Sequence, residues 1–394
     1  MSAKSLIRNG FIGSVGIVAS FVVVEIGLRV IEWTPAWKVL PVVERELGWP
    51  DPDLGYALRP NLEIINVREN RARPSTNNFG MRGRAHELLK KPGSFRVILT
   101  GDSFTEALQV EDHETFAHLA ELALNKANTA SSIELLNFGM SGAGPVQQLT
   151  RAQLSAQQFS ADALVMLIDI NQFLGEEMSN DSMNPAYIED AEGKLTLGYT
   201  FRQRRSQGLR ESILGTVFFA LMDHSRIVRA FYLRYLQGAV PNPGSRPMHQ
   251  SVARSCASWN AELFRQTELW RRQSPSGAAS RLSKFLNDIA TLSTTLDIRS
   301  SIIFYGVTQP AEMCTEEVAH RSALMSKIKA VLGSRSITLW DAEDFIRCEL
   351  DAGQSTTDLH GFGSRTGTGH LNHTGHQIYS RLLGSVVTEL IQER

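Results

Sequence analysis

Four short blocks in this chain hold the residue types from which nucleophilic catalysis is built. The first is Thr100-Gly101-Asp102-Ser103-Phe104-Thr105, which follows directly on the β-branched run Arg96–Thr100. A serine at a strand-to-helix turn is held at the carboxyl edge of a sheet. There its own backbone N–H and the helix dipole point at a developing oxyanion. The plainer alternative is a turn in which Asp102 or Ser103 merely caps the helix. The second block runs from Asn137 through Gly139, Gly142 and Gly144 to Pro145. Its three glycines let backbone approach a ligand and turn an N–H toward it. The third is Asp169-Ile170-Asn171-Gln172, where Asn171 has a side-chain amide to donate to the same oxyanion. The fourth, Gly369-His370-Leu371-Asn372-His373-Thr374-Gly375-His376, places His370 where it could act as general base for Ser103.

The elements between these blocks predict how they are positioned. Arg96–Thr100, Ile133–Asn137, Ala163–Asp169, Ser301–Val307 and Ile337–Trp340 read as strands. Thr115–Lys126, Pro145–Gln158, Leu282–Leu296, Glu317–Leu332 and Leu371–Ile391 read as helices. Continuous apolar runs suit strands covered on both faces, as in a parallel sheet. Five strands alternating with helices predict a three-layer α/β/α sandwich of the flavodoxin-like kind, with ligands at the carboxyl ends of the strands. Each block then falls at a strand end or just before the closing helix.

Two stretches break the rhythm. Residues 175–290 read as an insertion of polar turns followed by helices, with helical apolar stripes over Ser212–Gln237 and Ala257–Arg272. In it Arg202, Arg204, Arg205 and Arg210 form a basic cluster, either a solvated turn or a contact for an anionic polysaccharide or lipid headgroup. Trp259 and Trp270 lie on one side of a helix, for packing or for stacking on sugar rings. Residues 34–92 read as an extended lead-in packing on the main domain, which occupies 93–394. At the N-terminus, Lys4 and Arg8 precede an apolar run that continues from Phe11 to Ile31, interrupted by Glu25 and Arg29. That is about the length needed to cross ~30 Å of hydrocarbon. Residues 1–33 are therefore expected to be a single-pass anchor in the inner (cytoplasmic) membrane, its start cytoplasmic and the rest on the periplasmic side. A cleaved signal peptide and a buried or interfacial helix are the competing readings.

The blocks together resemble the SGNH hydrolase, or GDSL, superfamily. More narrowly, the chain is similar to bacterial membrane-anchored members through Asn78-Phe-Gly-Met-Arg-Gly83, Arg96-Val-Ile-Leu-Thr-Gly-Asp-Ser-Phe-Thr105 and His370-Leu-Asn-x-x-Gly-His376. The resemblance covers about residues 50–175 and 280–394 and leaves out the insertion. It implies Ser103 as nucleophile, Ser103 N–H, Gly142 N–H and the Asn171 side chain as oxyanion hole, His370 as base and Asp102 as a structural hydrogen-bonding residue. The family's acid stands two or three residues before the histidine, where this chain has Thr368 and Gly367. Asp358 is the replacement expected from elsewhere in the loop. The alternatives are a backbone carbonyl serving a Ser–His dyad, or loss of hydrolysis. His360, beside Asp358, is a second candidate base. His373 and His376 follow His370 at spacings that do not converge on one helix face, so no metal is expected; His376 reads as a packing or capping residue.

Composition bounds the function. The 394 residues are 42% hydrophobic and 21% charged, enough to bury a sizeable core. Forty basic against 41 acidic residues give a net charge of −1, which argues against a general nucleic-acid binder. Three widely spaced cysteines, Cys256, Cys314 and Cys348, form no zinc pattern. The resemblance implies an esterase that removes an acyl group, in particular acetyl, from a cell-surface carbohydrate or other small ester, with no cofactor. The alternatives are an O-acetyltransferase with the same Ser–His machinery and a catalytically silent protein of envelope polysaccharide binding or assembly.

Overall fold

A computed structural model describes residues 3–32, 34, 48–64, 66, 69–127, 131–169, 172, 184–203, 208, 212–231, 275–306, 325–326, 328–333, 336–350, 356–367 and 369–392. Its centre is a five-stranded sheet of β3 (Ser94–Thr100), β4 (Ser132–Asn137), β5 (Ala163–Asp169), β8 (Arg299–Tyr305) and β9 (Ile337–Asp341). The spatial order is β4-β3-β5-β8-β9, and every pairing is parallel. In terms of the sheet's own strands this is the order 2-1-3-4-5, in which the winding reverses beside the first strand. The crevice at that reversal, at the carboxyl ends of β3 and β5, is where such sheets bind ligands.

Both faces of the sheet are covered, which is why β3 and β5 are apolar without alternation. Ile98, Leu164, Met166, Ile168, Ile302 and Phe304 point to one side. There they pack with residues of α4 (Pro145–Gln158) and α7 (Pro275–Leu296). Val97, Leu99, Val165, Leu167, Ile303 and Tyr305 point to the other, against α3 (Phe116–Ala127), α8 (Ala342–Glu349) and α9 (His373–Gln392). The period of two along each strand sorts its residues between the two cores. The expected α/β/α sandwich is thus present, with strand bounds shifted by one or two residues.

The lead-in is less plain than its sequence reading. It begins with a hairpin of β1 (Gly48–Asp51) and β2 (Gly55–Leu58) and continues as a ribbon held by isolated bridges, Glu63 to Ser75 and Asn66 to Ala72. Its last turn is fastened by Arg96, whose side chain is fully buried in the sheet. The guanidinium is 2.6 Å from Glu134 and donates to the carbonyls of Glu87, Leu88 and Phe159 at 2.8–2.9 Å. Arg96→Leu would leave Glu134 buried beside orphaned carbonyls, and removing one partner of a buried pair costs about 3–5 kcal/mol. Urea unfolding of that variant is expected to show a midpoint lowered accordingly, with an unchanged slope.

In the insertion the described part differs from the expected single helix. A small sheet of β6 (Ala186–Glu189) and β7 (Leu195–Gly198) comes first. The apolar stretch then breaks at Ser225 into α5 (Ile213–His224) and α6 (Arg226–Phe231). Ser225 is extended at the α5 C-terminus, and its neighbours' N–H groups are taken by Glu25 rather than by a continuing helix. Arg202 is spent within the fold on Asp53 and the ring of Tyr199. Arg204, Arg205 and Arg210, Trp259 and Trp270, Cys256 and Cys314, and most of the helix expected over 317–332 lie outside the described residues. At the other end, α1 (Ala3–Glu32) is a single long helix. Its stretch Ile12–Glu32 has a mean hydropathy of 2.0 with none of it buried, as a membrane span or a signal sequence would have.

Candidate active site

Ser103 opens α2 (Ser103–Glu106), one short turn beyond β3. Asp102 caps that turn: its Oδ1 accepts from the Phe104 N–H at 3.0 Å, and its Oδ2 accepts from the Tyr305 hydroxyl. Burial raises the Asp102 carboxyl above its ordinary value, and those donors work in the opposite direction. Glycine is demanded beneath the turn. A Cβ on Gly101 would lie 1.9 Å from Thr105 Oγ1, and one on Gly139 would lie 2.4 Å from the Glu106 nitrogen. The glycines after β3 and β4 thus let α2 lie directly on neighbouring backbone, and hold Ser103 at the sheet's rim.

His370 reaches Ser103 from the C-terminal loop. Its Nε2 is 2.8 Å from Ser103 Oγ across 267 residues of sequence. The loop is clamped by bonds from Gly361 N–H to His370 O, Gly367 N–H to His360 O and Asn372 N–H to Leu359 O. His360 is buried beneath it with Nδ1 3.1 Å from the Gly369 carbonyl, and burial pushes its pKa down. It supports the loop and does not meet the serine. The Phe104 ring lies 5.3 Å from the His370 ring, centroid to centroid, and helps define its plane.

The group on the far side of His370 is not the one expected. His370 Nδ1 is 2.6 Å from Glu69 Oε1, and Glu69 Oε2 accepts the His370 backbone N–H at 2.9 Å. Asp358, expected as the acid, instead offers its backbone carbonyl to the Asn372 side chain. The correction has a topological cause. Glu69 sits at the tip of the lead-in ribbon, whose Asn66–Ala72 bridge turns the chain there. The ribbon lies along the loop after α2: Asn66 donates to Leu108 O, Asn70 to Gln109 O, and the N–H of Arg73 to Glu111. The carboxylate is therefore delivered from 34 residues before Ser103 rather than from beside His370. Burial works to raise the Glu69 pKa, but the His370 ring and backbone N–H outweigh it and hold the carboxyl below its ordinary value.

Gly142 lies in the turn after β4 with φ +78°, the left-handed region that favours glycine. Its neighbour Ser141 is held from beneath. Glu106 accepts from the Ser141 N–H at 2.7 Å and from its hydroxyl, while the Tyr56 hydroxyl donates to the Ser141 carbonyl. Burial raises the Glu106 carboxyl, and the bonds from Ser141 and the charge of Arg82 oppose it. Arg82 is itself buried, donating to the carbonyls of Glu106, Ala107 and Val110 at 2.7–3.3 Å and paired with Asp112. Burial brings it down to about 10. Glu106 is thus a brace for the Gly142 turn that motif spacing did not single out. With Gly142 N–H in the oxyanion role that the sequence resemblance implies, Glu106→Ala is expected to lower ester turnover about 10²-fold, as a small misplacement of such a donor does, with little change in KM. Glu106→Gln, which keeps one acceptor under Ser141, is expected to retain most of the rate. Asn171 lies outside the described residues.

The remaining histidines diverge. His373 Nδ1 is 3.4 Å from Glu114, at the surface. His376 is buried, accepts the Phe116 N–H at its Nδ1 and stacks on the Phe116 ring; burial lowers its pKa to about 3. It caps and packs. The described residues contain no cluster of three or more potential metal ligands.

A parallel sheet of order 2-1-3-4-5, with a serine after its first strand, a glycine turn after its second and a histidine before its last helix, is the arrangement that the sequence resemblance to SGNH hydrolases implies. No family model matches the chain, and no curated protein does. Among solved structures it is similar to an α/β hydrolase enzyme from the metagenome of Lake Arreo, Spain, at 13% identity and a TM-score of 0.37, over 76% of this chain and 97% of that one. A catalytic mutant of an acetylxylan esterase from Geobacillus stearothermophilus matches at 11% identity and 0.36, over 75% and 94%. A two-domain esterase active on acetylated mannans matches at 8% and 0.37, over 75% and 50%.

Proposed function

We propose that the chain is a membrane-anchored, extracytoplasmic serine esterase that removes an acyl group from a cell-surface carbohydrate. The observation that carries the reading is the continuous relay from Ser103 Oγ through His370 to the Glu69 carboxylate. In the reaction, His370 Nε2 takes the Ser103 proton as Oγ attacks the ester carbonyl. Negative charge gathers on the carbonyl oxygen, for which the N–H groups of Ser103 and Gly142 are the proposed donors; the sequence resemblance adds Asn171 as a third. Glu69 keeps the other ring proton on Nδ1 and stabilises the imidazolium. The tetrahedral adduct then collapses: the ester C–O bond breaks, and His370 returns the proton to the departing sugar hydroxyl. Water repeats the sequence on the acyl-enzyme and releases the acid.

The acetyl group and the carbohydrate rest on the sequence resemblance, and the anchor on the length and apolarity of α1. A second reading, transfer of the acyl group to a sugar hydroxyl, uses the same acyl-enzyme and differs only in what intercepts it. The reading is tested by exposing the folded protein to a fluorophosphonate probe. Stoichiometric addition to Ser103, read by peptide mass, is the expected result. A folded protein that resists the probe overturns it. Partition of an acetyl donor between water and an added oligosaccharide then separates hydrolysis from transfer.

A further inference from the structure

Two polar residues interrupt the apolar run of α1, and the structure explains where their charge goes. Glu25, Arg29 and Glu32 recur on one face of the helix and turn it toward the α5–α6 junction. Glu25 accepts from the backbone N–H groups of Arg226 and Ile227 at 3.0 and 3.2 Å and from the Ser225 hydroxyl at 3.1 Å, and it pairs with Arg29. Arg29 donates to the His224 carbonyl, and Glu32 takes the Arg226 guanidinium at 2.7 Å. The insertion is thereby fastened to α1, and Glu25 lies about 10 Å inside the helix's C-terminal end.

That attachment matters because α5 is apolar on both sides. Phe219 and Met222 are buried on one side. On the other, Ile213, Leu214, Val217 and Leu221 are 83%, 76%, 51% and 51% exposed, and they fall on one helical stripe. Phe231, at the end of α6, is 56% exposed. A set of this size is unusual on a soluble surface. It is joined to a helix whose own flank is as apolar, with Val23, Ile26 and Val30 more than half exposed. On the opposite side of α5 stands Trp49, part exposed, its ring 5.9 Å from Phe219 and covered by the Arg59 guanidinium at 5.2 Å. A tryptophan–arginine pair of that kind suits a water–lipid boundary.

We propose that α5–α6 is a second membrane-contact element, seated in the interfacial region of the bilayer that α1 crosses, with the stripe Ile213, Leu214, Val217 and Leu221 against lipid. The proposal rests on the reading of α1 as a span. The occupant is lipid because α5–α6 is fastened, through Glu25, Arg29 and Glu32, to a helix long and apolar enough to cross a bilayer. The depth also agrees: helices lying in a membrane interface bury their apolar face about 5–10 Å deep, the level at which Glu25 holds the junction. At the junction Glu25 pairs with Arg29 and Glu32 with Arg226, which offsets the cost of holding those charges at that depth.

The test uses the full chain in nanodiscs of phosphatidylethanolamine and phosphatidylglycerol, with its three cysteines replaced by serine. One nitroxide at a time is attached through Val217→Cys, Leu221→Cys, Val23→Cys on α1 or Gln377→Cys on the exposed side of α9. Collision with oxygen, which partitions into lipid, is compared with collision with a water-soluble nickel chelate. The expected result is a several-fold higher oxygen-to-nickel ratio at 217, 221 and 23 than at 377. A lipid signature at 23 with a water signature at 217 and 221 overturns the proposal and leaves the anchor standing. Protection of 217 and 221 from both reagents means a protein partner, a second copy included, and also overturns it. A water signature at 23 removes the anchor itself, and the proposal with it.

Discussion

Glu69→Gln is expected to lower the turnover of a simple ester such as p-nitrophenyl acetate by about 10²–10⁴-fold, while Asp358→Asn leaves it within about threefold. The reason is the double attachment of the Glu69 carboxylate: one oxygen takes the His370 backbone N–H, the other faces ring Nδ1. A glutamine has one oxygen. If that oxygen stays on the backbone N–H, its amide N–H₂ faces Nδ1 and favours the tautomer whose proton is on Nε2. Such a ring has no lone pair to accept the Ser103 proton. Loss of a correctly oriented tautomer costs on the order of 10⁴ in a comparable relay. Asp358 enters the loop through its backbone carbonyl to Asn372, which the substitution leaves in place. Equal losses in the two variants would sink the assignment of the acid.

The same carboxylate makes a pH prediction with a definite sign. Its folded pKa is lowered from an ordinary value of 4.5. The stability it lends to the ribbon–loop contact is therefore fully present above that ordinary value, and is lost as the pH falls through the lowered folded one. Above it Glu69 stays ionised, so the acid arm of the relay is intact throughout the neutral range.

Sequence reasoning read the sheet well for a physical reason. Runs such as Arg96–Thr100 and Ala163–Asp169 are long, β-branched and buried on both faces, so the pattern has one interpretation. The placement of Ser103, Gly142 and His370 at strand ends and before the last helix was legible because turns there need particular residue types: a cap, a glycine at positive φ, a loop before a helix. Glu69 carries no such mark. It stands in a polar ribbon with neither period, and its partner lies 301 residues away. Only the docking of that ribbon along residues 108–112 brings it to His370. The hint within reach was that the lead-in packs on the domain, and any acid it carries is a candidate for a histidine that lacks a local one. Glu106 was hidden differently: inside the nucleophile's own turn, its role depends on the loop after β4 folding over it. The break at Ser225 could not be seen either, because the N–H groups it frees are satisfied by Glu25, about 200 residues earlier.

The lead-in also connects the two proposals. Arg73, four residues after Glu69, donates to the Glu32 carbonyl at the end of α1. Four residues span at most about 14 Å. The acid of the relay is thus tethered close to the point where the chain leaves its N-terminal helix, and an ester presented near that point has a short path to Ser103.

Ser103→Ala is expected to abolish fluorophosphonate addition and to lower turnover on the order of 10⁶-fold, the loss seen when the nucleophile of a comparable relay is removed. The substitution deletes one oxygen at a half-buried position, so the fold and its urea midpoint should change by less than about 1 kcal/mol. The sharper result concerns the pair of variants. His370 and Glu69 act on the reaction only through the Ser103 proton, so once the hydroxyl is gone their contribution has nothing to act on. Ser103→Ala combined with Glu69→Gln is therefore expected to be no slower than Ser103→Ala alone, although Glu69→Gln by itself is strongly impaired. Losses that multiplied in the double variant would mean that Glu69 serves the reaction by another route, such as contact with substrate. Turnover persisting within about tenfold in Ser103→Ala would mean that a different group attacks the ester. The two failures are distinguishable, since only the second leaves the hydroxyl of Ser103 without a role.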